Sequence, residues 1–380
     1  MGDFRDVPER RVPIRLSPFQ RWTGRRENPC YRFGMLPFHR ALGCLAAFAG
    51  VLSFVACSST GTRTSFGDDA GGGGTSGGDG DGGVFVPTGD GGKVDENGCS
   101  DAAKLVYVLS YEGDLYSFAP AEKKFKKIGP LNCGLTSQQQ PISMAVDRAG
   151  FAWVNVASLG GAGGRSNVLY KVNTTTAECE PTNIKSSFIG GMGFSTDEGS
   201  KDKETLYVFG QSGSASAPTR TLDHVDFAAE KIITGPSVTT GAGELTGTGD
   251  GRLYGFILKE PQTGPSGKPI LDDLIGITQL DKKTGKDSGE VVTKGVKYPH
   301  DPGFAFSFWG GDFYVYSAPI TIPADFPFTQ PPEDLKDEPT TDVARYSPTT
   351  KTTEPVYMGA IGFHIVGAGV STCAPTTGVR

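Results

Sequence analysis

The pattern of hydrophobic and polar positions divides the chain at about residue 99. One apolar run and a long polar stretch come before this point, and short runs of alternating apolar and polar residues come after it. A period of two is typical of β-strands, and no segment keeps a helical period of 3.6 over three turns. The sequence therefore predicts an all-β domain of roughly 280 residues.

The alternating part contains an internal repeat. Five segments share two apolar residues three apart, a polar turn and a second β-prone run, and they begin at Leu115, Leu169, Leu222, Ile277 and Val343. Upstream of four of them, a short strand of small residues leads through a turn to an aromatic strand, as in "ISMAVDRAGFAWVNV". The two parts form a four-stranded antiparallel unit of about 50 residues, which is typical of a β-propeller blade.

The first copy lacks its opening strand, and a matching strand lies at the other end of the chain. The segment "FHIVGAGVSTC", residues 363–373, has the small residues of an opening strand, and no aromatic strand follows it. We therefore predict an all-β β-propeller of five blades of four antiparallel strands, closed by the C-terminal strand. A six-bladed ring with one degenerate blade is the alternative. The insertion "ITIPADFPFTQPPEDLKDEP" before the last repeat is predicted to be a surface loop.

One blade motif has a wider resemblance. The segment "GDLYSFAP", residues 113–120, resembles the blade signature of secreted bacterial propellers, and the similarity extends over roughly residues 101–373. The resemblance implies the fold, and a fold does not specify a function.

The apolar run near the amino terminus ends at a cysteine. Residues 41–56 are too few for a membrane span of about 20 residues, and they have the shape of a secretory signal. The ending Phe54-Val55-Ala56-Cys57 resembles a bacterial lipobox, with Phe54 in place of the usual leucine. This resemblance implies cleavage before Cys57, a diacylglyceryl thioether on its sulfur and acylation of the new amine. A plain secretory signal is the alternative.

Four segments follow from this interpretation. Residues 1–34 are an untranslated or extended leader, 35–56 the lipoprotein signal peptide, 57–98 the lipidated cysteine with a flexible tether, and 99–380 the propeller. The tether is rich in glycine, serine and aspartate, which bury little apolar area, so we expect it to be disordered.

The charge of the chain excludes one class of partner. The formal net charge is −6, and the first 56 residues contribute nine arginines, so the remainder is more acidic still. Such a surface repels phosphate backbones, and we therefore predict no binding to nucleic acid.

The cysteines agree with export. Beyond Cys57, the predicted mature chain has an even number, which suits an oxidising compartment. Four cysteines allow three pairings. Ring closure places Cys373 beside Cys99, which favours this bridge and leaves Cys133 and Cys179 for each other.

The predicted ligand site is the central funnel, where the first strand of each blade begins. The polar residues at these positions are Gln140, Glu244, His300, Asp301 and His364. The four titratable groups among them are able to bind a divalent metal or to perform acid–base chemistry if they converge. The simpler interpretation, which we favour, gives them structural roles in turns and strands. No other cofactor is predicted.

Comparison with propeller enzymes gives an incomplete match. Arabinanase-type glycosidases place acids on inner strands, and here only Glu244 and Asp301 clearly occupy such positions, while Asp147 fits a turn better. Lactonase-type propellers bind calcium through inner-strand Glu, Asn and Asp, which is again incomplete here. The aromatic residues of the second strands, Tyr207 and Tyr254 among them, are predicted to pack in the core.

These observations predict a protein- or glycan-binding module. We expect a lipoprotein of the cell envelope, held at the outer membrane by Cys57 because Ser58 follows it, and either exposed at the surface or periplasmic. The long tether favours encounters with large partners. The alternative function is a cell-envelope hydrolase or lyase that uses Glu244 and Asp301.

Overall fold

The structure is a computed structural model that describes residues 95–96, 98–158, 166–214, 217–239, 243–259, 262–265, 269–270, 273–321, 336–337, 340–359 and 361–378. The predicted leader, the signal peptide and Cys57 lie outside these residues. One short 3₁₀ helix, Ala102–Lys104, precedes the first strand. In the described part of the chain, no helix is long and apolar enough to cross a membrane.

The rest of the described chain is built from β-strands, numbered here along the sequence. The strands are β1 (Val106–Ser110), β2 (Asp114–Ala119), β3 (Lys124–Pro130), β4 (Gln139–Val146), β5 (Phe151–Ser158), β6 (Ser166–Asn173), β7 (Cys179–Ser186), β8 (Met192–Thr196), β9 (Glu204–Ser214), β10 (Ala217–Asp226), β11 (Lys231–Ile233), β12 (Leu245–Gly247), β13 (Leu253–Leu258), β14 (Gln262–Thr263), β15 (Pro269–Ile270), β16 (Ile275–Leu280), β17 (Asp287–Val292), β18 (Pro299–Trp309), β19 (Asp312–Thr321), β20 (Lys336–Asp337), β21 (Asp342–Ser347), β22 (Thr352–Tyr357) and β23 (Ile365–Val370).

The strands form five blades of four antiparallel strands, which confirms the predicted five-bladed β-propeller. From the inner to the outer edge the blades are β23-β1-β2-β3, β4-β5-β6-β7, β8-β9-β10-β11, β12-β13-β16-β17 and β18-β19-β21-β22. The fourth blade also carries the small hairpin β14-β15. In the fifth blade, β20 pairs with the end of β19, so the predicted surface loop contributes a short strand to the sheet.

The C-terminal strand closes the ring as predicted. Strand β23 pairs with β1 in antiparallel register, from Val106 opposite Val370 to Leu109 opposite Gly367. It also packs against β4 and β18, the inner strands of the two neighbouring blades. The disulfide Cys99–Cys373 joins the segment before β1 to the segment after β23. The second disulfide, Cys133–Cys179, joins the loop after β3 to the start of β7.

The inner strands pack directly on one another at the axis. The side chains of β8, β12 and β23 are all buried, and most of their residues are small. A Cβ atom on Gly191 would lie 2.3 Å from the carbonyl oxygen of Gly243, and one on Gly247 would lie 1.9 Å from that of Phe194. The small-residue pattern of the opening strands therefore has a steric cause, because no larger residue fits between these backbones.

The propeller has two faces. All inner strands run in the same direction, so their starts meet at one face, called the upper face here, and their ends meet at the other, called the lower face. The turns after the inner strands form the lower face, and they include residues 147–150, 197–203 and 248–252. The aromatic clusters of the core lie mainly between neighbouring blades, as where Phe118 meets Tyr314 and Tyr316.

Candidate functional site

The predicted funnel residues lie at the upper end of the inner strands. Gln140 is half-buried in β4, Glu244 comes directly before β12, and His364 is half-buried directly before β23. His300 and Asp301 belong to β18, and their side chains lie outside the described residues. Their convergence with Glu244 therefore stays a prediction.

Glu244 is enclosed by the inner strands of three blades. Glu244 is only 5% exposed to solvent. The Ser143 hydroxyl in β4 donates a hydrogen bond to Glu244 Oε2 at 2.7 Å, and the backbone N–H of Met192 in β8 donates a second one. Burial raises the pKa of Glu244 to about 8, because a charge inside the packed axis loses its hydration. At neutral pH the carboxyl group is therefore mostly protonated.

This arrangement limits what Glu244 can do chemically. A general acid or base must come within hydrogen-bond reach of its substrate, and the oxygens of Glu244 are enclosed by protein. Among the described residues, no three or more His, Cys, Asp or Glu side chains are grouped so as to hold a metal ion. The described geometry therefore gives Glu244 a role inside the core, where it links three inner strands through Ser143 and Met192.

A second polar cluster lies on the lower face and joins the ring closure to the neighbouring blades. The Arg148 side chain donates to Thr372 Oγ1 at 2.8 Å and to the carbonyl oxygen of Lys201 at 2.8 Å. The Thr372 hydroxyl in turn donates to Glu204 Oε2 at 2.6 Å, and the Arg148 backbone N–H donates to Glu204 Oε1 at 2.7 Å. Arg148 also contacts the Cys99 sulfur at 3.4 Å. The cluster therefore ties blades 1, 2 and 3 together beside the Cys99–Cys373 bridge.

Two carboxyl groups of this region have raised pKa values. Desolvation is the main cause for Glu204, whose pKa is raised to about 8, and the nearby charge of Asp147 adds to it. Desolvation also raises the pKa of Asp147, although Trp153 Nε1 and the Phe151 backbone N–H donate to its carboxylate. Asp147 lies in the turn directly after β4, as the sequence predicted, and its carboxylate is held there by these two hydrogen bonds.

An open groove lies on the lower face between the third and fourth blades. Its volume is about 580 Å³, and its walls are the turns at 196–200, 249–252 and 281–283. Tyr207 and Gln279 line it between these turns. Tyr207 and Tyr254 are both half-buried and both pack against core clusters, as predicted, and Tyr254 contacts Phe313 with ring centroids 4.8 Å apart.

Sequence reasoning missed this groove and the Arg148 cluster. The available signal was the charge of the turns that follow the inner strands, such as "TDEGSKDKE" at 196–204 and "GTGDGR" at 247–252. The predicted funnel lies at the starts of these strands, which is the opposite face of the propeller.

Comparison with known proteins adds no function. No family model matches the chain, and no curated protein matches it in sequence. Among solved structures, it is similar to a protein of unknown function from Bacteroides caccae, with 11% identity over 69% of this chain and 84% of that chain and a TM-score of 0.35. It is also similar to the tricorn protease, with 12% identity over 66% of this chain and 25% of that chain and a TM-score of 0.30. Sequence identities and TM-scores this low do not establish a fold. The fold is assigned from the five blade sheets of this chain itself.

Proposed function

We propose that this protein is an exported, lipid-anchored β-propeller that binds a protein or glycan of the cell envelope without transforming it. The observation that carries the proposal is the enclosure of Glu244. This carboxyl group is central to the hydrolase alternative, yet it is bonded to Ser143 and Met192 inside the packed axis. The groove on the lower face, in contrast, has exposed residues such as Glu198, Asp250 and Lys283 on its rim.

One feature supports export. The domain carries two disulfides, which form and persist in oxidising compartments outside the cytosol.

The anchor is tested by replacing the lipidated cysteine. We expect Cys57→Ala to move the protein from the membrane fraction to the soluble fraction and to abolish labelling by a radioactive fatty acid, because acyl chains supply the membrane affinity. Cys133→Ala is the control, since it removes a cysteine of the propeller and leaves the lipobox intact. A Cys57→Ala protein that stays with the membranes and carries the label would refute the anchor.

The binding function is tested by following the fate of what the protein retains. The full chain is immobilised and exposed to fractions of the native cell envelope, and the retained material is compared in mass and reducing ends before and after contact. We expect a retained polymer or protein of unchanged size. Cleavage that disappears in Glu244→Gln would overturn the binding-module proposal in favour of the hydrolase or lyase.

A further inference from the structure

The two disulfides of the propeller lie in different electrostatic surroundings. The guanidinium group of Arg148 donates a hydrogen bond to Cys99 Sγ, with 3.4 Å between Nη2 and the sulfur. The other bridge ends at Cys179, which has the exposed acids Glu178 and Glu180 on either side of it in the sequence. A neighbouring cation stabilises a thiolate, whereas neighbouring carboxylates disfavour it. Cys99 is therefore the more readily ionised of these two sulfurs once its bridge is open.

The packing of the lower face holds the charge of Arg148 at this sulfur. Arg148 is buried, and its side chain also donates to the Thr372 hydroxyl and to the carbonyl oxygen of Lys201, both at 2.8 Å and both neutral acceptors. Glu204 accepts the Arg148 backbone N–H at 2.7 Å, and burial is the main cause that raises its pKa to about 8, so at neutral pH it carries little negative charge. The cation thus lies beside Cys99 in the protein interior, where charges interact more strongly than in water.

The two cysteines of this bridge differ in exposure. Cys99 is 8% exposed, whereas Cys373 is half-buried and lies in the turn after β23. In thiol–disulfide exchange an incoming thiolate attacks one sulfur, and the other sulfur departs as a thiolate, faster the lower the pKa of its thiol. Attack at Cys373 with departure of Cys99 satisfies both conditions, because the attacked residue is the more exposed one and the leaving sulfur is the one beside Arg148.

Hydrogen bonds hold both cysteines in place independently of the bridge. The backbone N–H of Cys99 donates to Asp95 Oδ1 at 3.0 Å, and the backbone N–H of Cys373 donates to Ser371 Oγ at 3.0 Å. The pairing of β23 with β1 also closes the ring without the sulfurs. We therefore expect the two thiols to stay near each other after reduction, which allows the bridge to form again.

We propose that Cys99–Cys373 is a redox-sensitive bridge that a dithiol reductant opens, and that Cys133–Cys179 is a structural bridge. One thiolate of the dithiol attacks Cys373 Sγ, the disulfide bond breaks, and Cys99 leaves with the electron pair as a thiolate beside Arg148. The second thiol of the reductant then attacks the reductant sulfur bonded to Cys373, which releases Cys373 and oxidises the dithiol to a disulfide. The protein gains two electrons and two protons, and only noncovalent contacts then tie the segment before β1 to the ring.

The acidity of the released sulfur is measured by alkylation. The full-length Cys373→Ser protein leaves Cys99 unpaired, and the matched full-length Cys133→Ser protein leaves Cys179 unpaired. Mass spectrometry of each cysteine peptide follows the rate of iodoacetamide modification against pH, and the midpoint gives the pKa of the thiol whatever the access of the reagent. We expect the pKa of Cys99 to be lower than that of Cys179 by at least about one unit. A smaller difference, or the reverse order, would overturn the proposal.

The role of Arg148 is tested in the same Cys373→Ser protein. Arg148→Met removes the charge and keeps most of the length of the side chain, so we expect the pKa of the Cys99 thiol to rise by at least about one unit. Arg148→Lys keeps a cation at this position and should keep the pKa below that of the methionine variant. A Cys99 pKa that is unchanged in Arg148→Met would overturn the role of Arg148.

The direction of the exchange is tested in the full wild-type chain and so does not depend on the folding of any variant. The native protein is exposed to glutathione, a monothiol that stops at the mixed disulfide, and the freed thiol is trapped with iodoacetamide. We expect glutathione on Cys373 and the alkyl group on Cys99 before either sulfur of Cys133–Cys179 is modified. Glutathione on Cys99, or earlier opening of Cys133–Cys179, would overturn the proposal.

Discussion

Removal of residues 361–380 is expected to abolish the cooperative unfolding transition of the propeller. The deletion removes β23, in which Ile365, Val366 and Val370 are at most 3% exposed. Burial of each such side chain contributes about 1.5–3 kcal/mol, and a whole domain is stable by only about 5–15 kcal/mol. The loss also exposes the edge of β1 and removes the strand on which β4 and β18 pack. Thermal unfolding followed by circular dichroism measures the effect.

The deletion also removes Cys373, so the strand and the disulfide must be separated. The control is the full-length Cys99→Ser/Cys373→Ser protein, and the deletion is made in the Cys99→Ser background to avoid a free thiol. We expect the control to unfold cooperatively with a stability lower by about 3–5 kcal/mol, because it loses the constraint on a long loop. A truncated protein with the melting temperature of this control would show that β23 does not close the ring.

The fold was predictable because its repeat leaves a local trace in the sequence. Each blade needs alternating strands and short turns, and the axis needs small residues where backbones approach, as at Gly191 and Gly247. The closing strand was recognisable because residues 363–373 carry the same small-residue pattern with no second strand after them. The Cys99–Cys373 bridge then followed from the closure itself.

The site was less predictable because its contacts join distant parts of the chain. The partner of Glu244 is Ser143, which is 101 positions away, and Arg148 meets Thr372 across 224 positions. The blade pattern assigns a residue to an inner strand, but the packing of neighbouring inner strands decides whether its side chain is open to a ligand. For Glu244 the small residues that revealed the fold also bring the backbones close enough to enclose the carboxyl group.

The groove shows the same dependence on three-dimensional packing. Its walls come from three turns of two blades, and the sequence indicates only that these turns are polar. Pairing of Glu198 with Lys283 across 85 positions neutralises charges that look exposed and available in the sequence. The sequence alone does not show this pairing, which forms only when the blades are assembled.

The enclosure of Glu244 has a consequence for stability that is large and measurable. The pKa of this group is raised from 4.5 to about 8 in the folded protein, so between these values the folded state holds a proton that the unfolded state has lost. The contribution of Glu244 to stability therefore falls as pH rises through this window, by about 1.4 kcal/mol per pH unit, and becomes constant above about pH 8. Glu204, whose pKa is also raised to about 8, adds a decline of its own.

Glu244→Gln is expected to remove this contribution, because glutamine has nearly the same shape and no titrating proton. Urea unfolding at about pH 5 and about pH 7.5 should show the variant within about 1 kcal/mol of the wild type at the lower pH and more stable by about 2–3 kcal/mol at the higher pH. Glu180→Gln, an exposed glutamate of β7, is the control and should keep the wild-type pH dependence. Identical pH dependence in the wild type and Glu244→Gln would mean that the Glu244 carboxyl group is hydrated and ionised in the folded protein. That result would also remove the main argument against its use as a catalytic group.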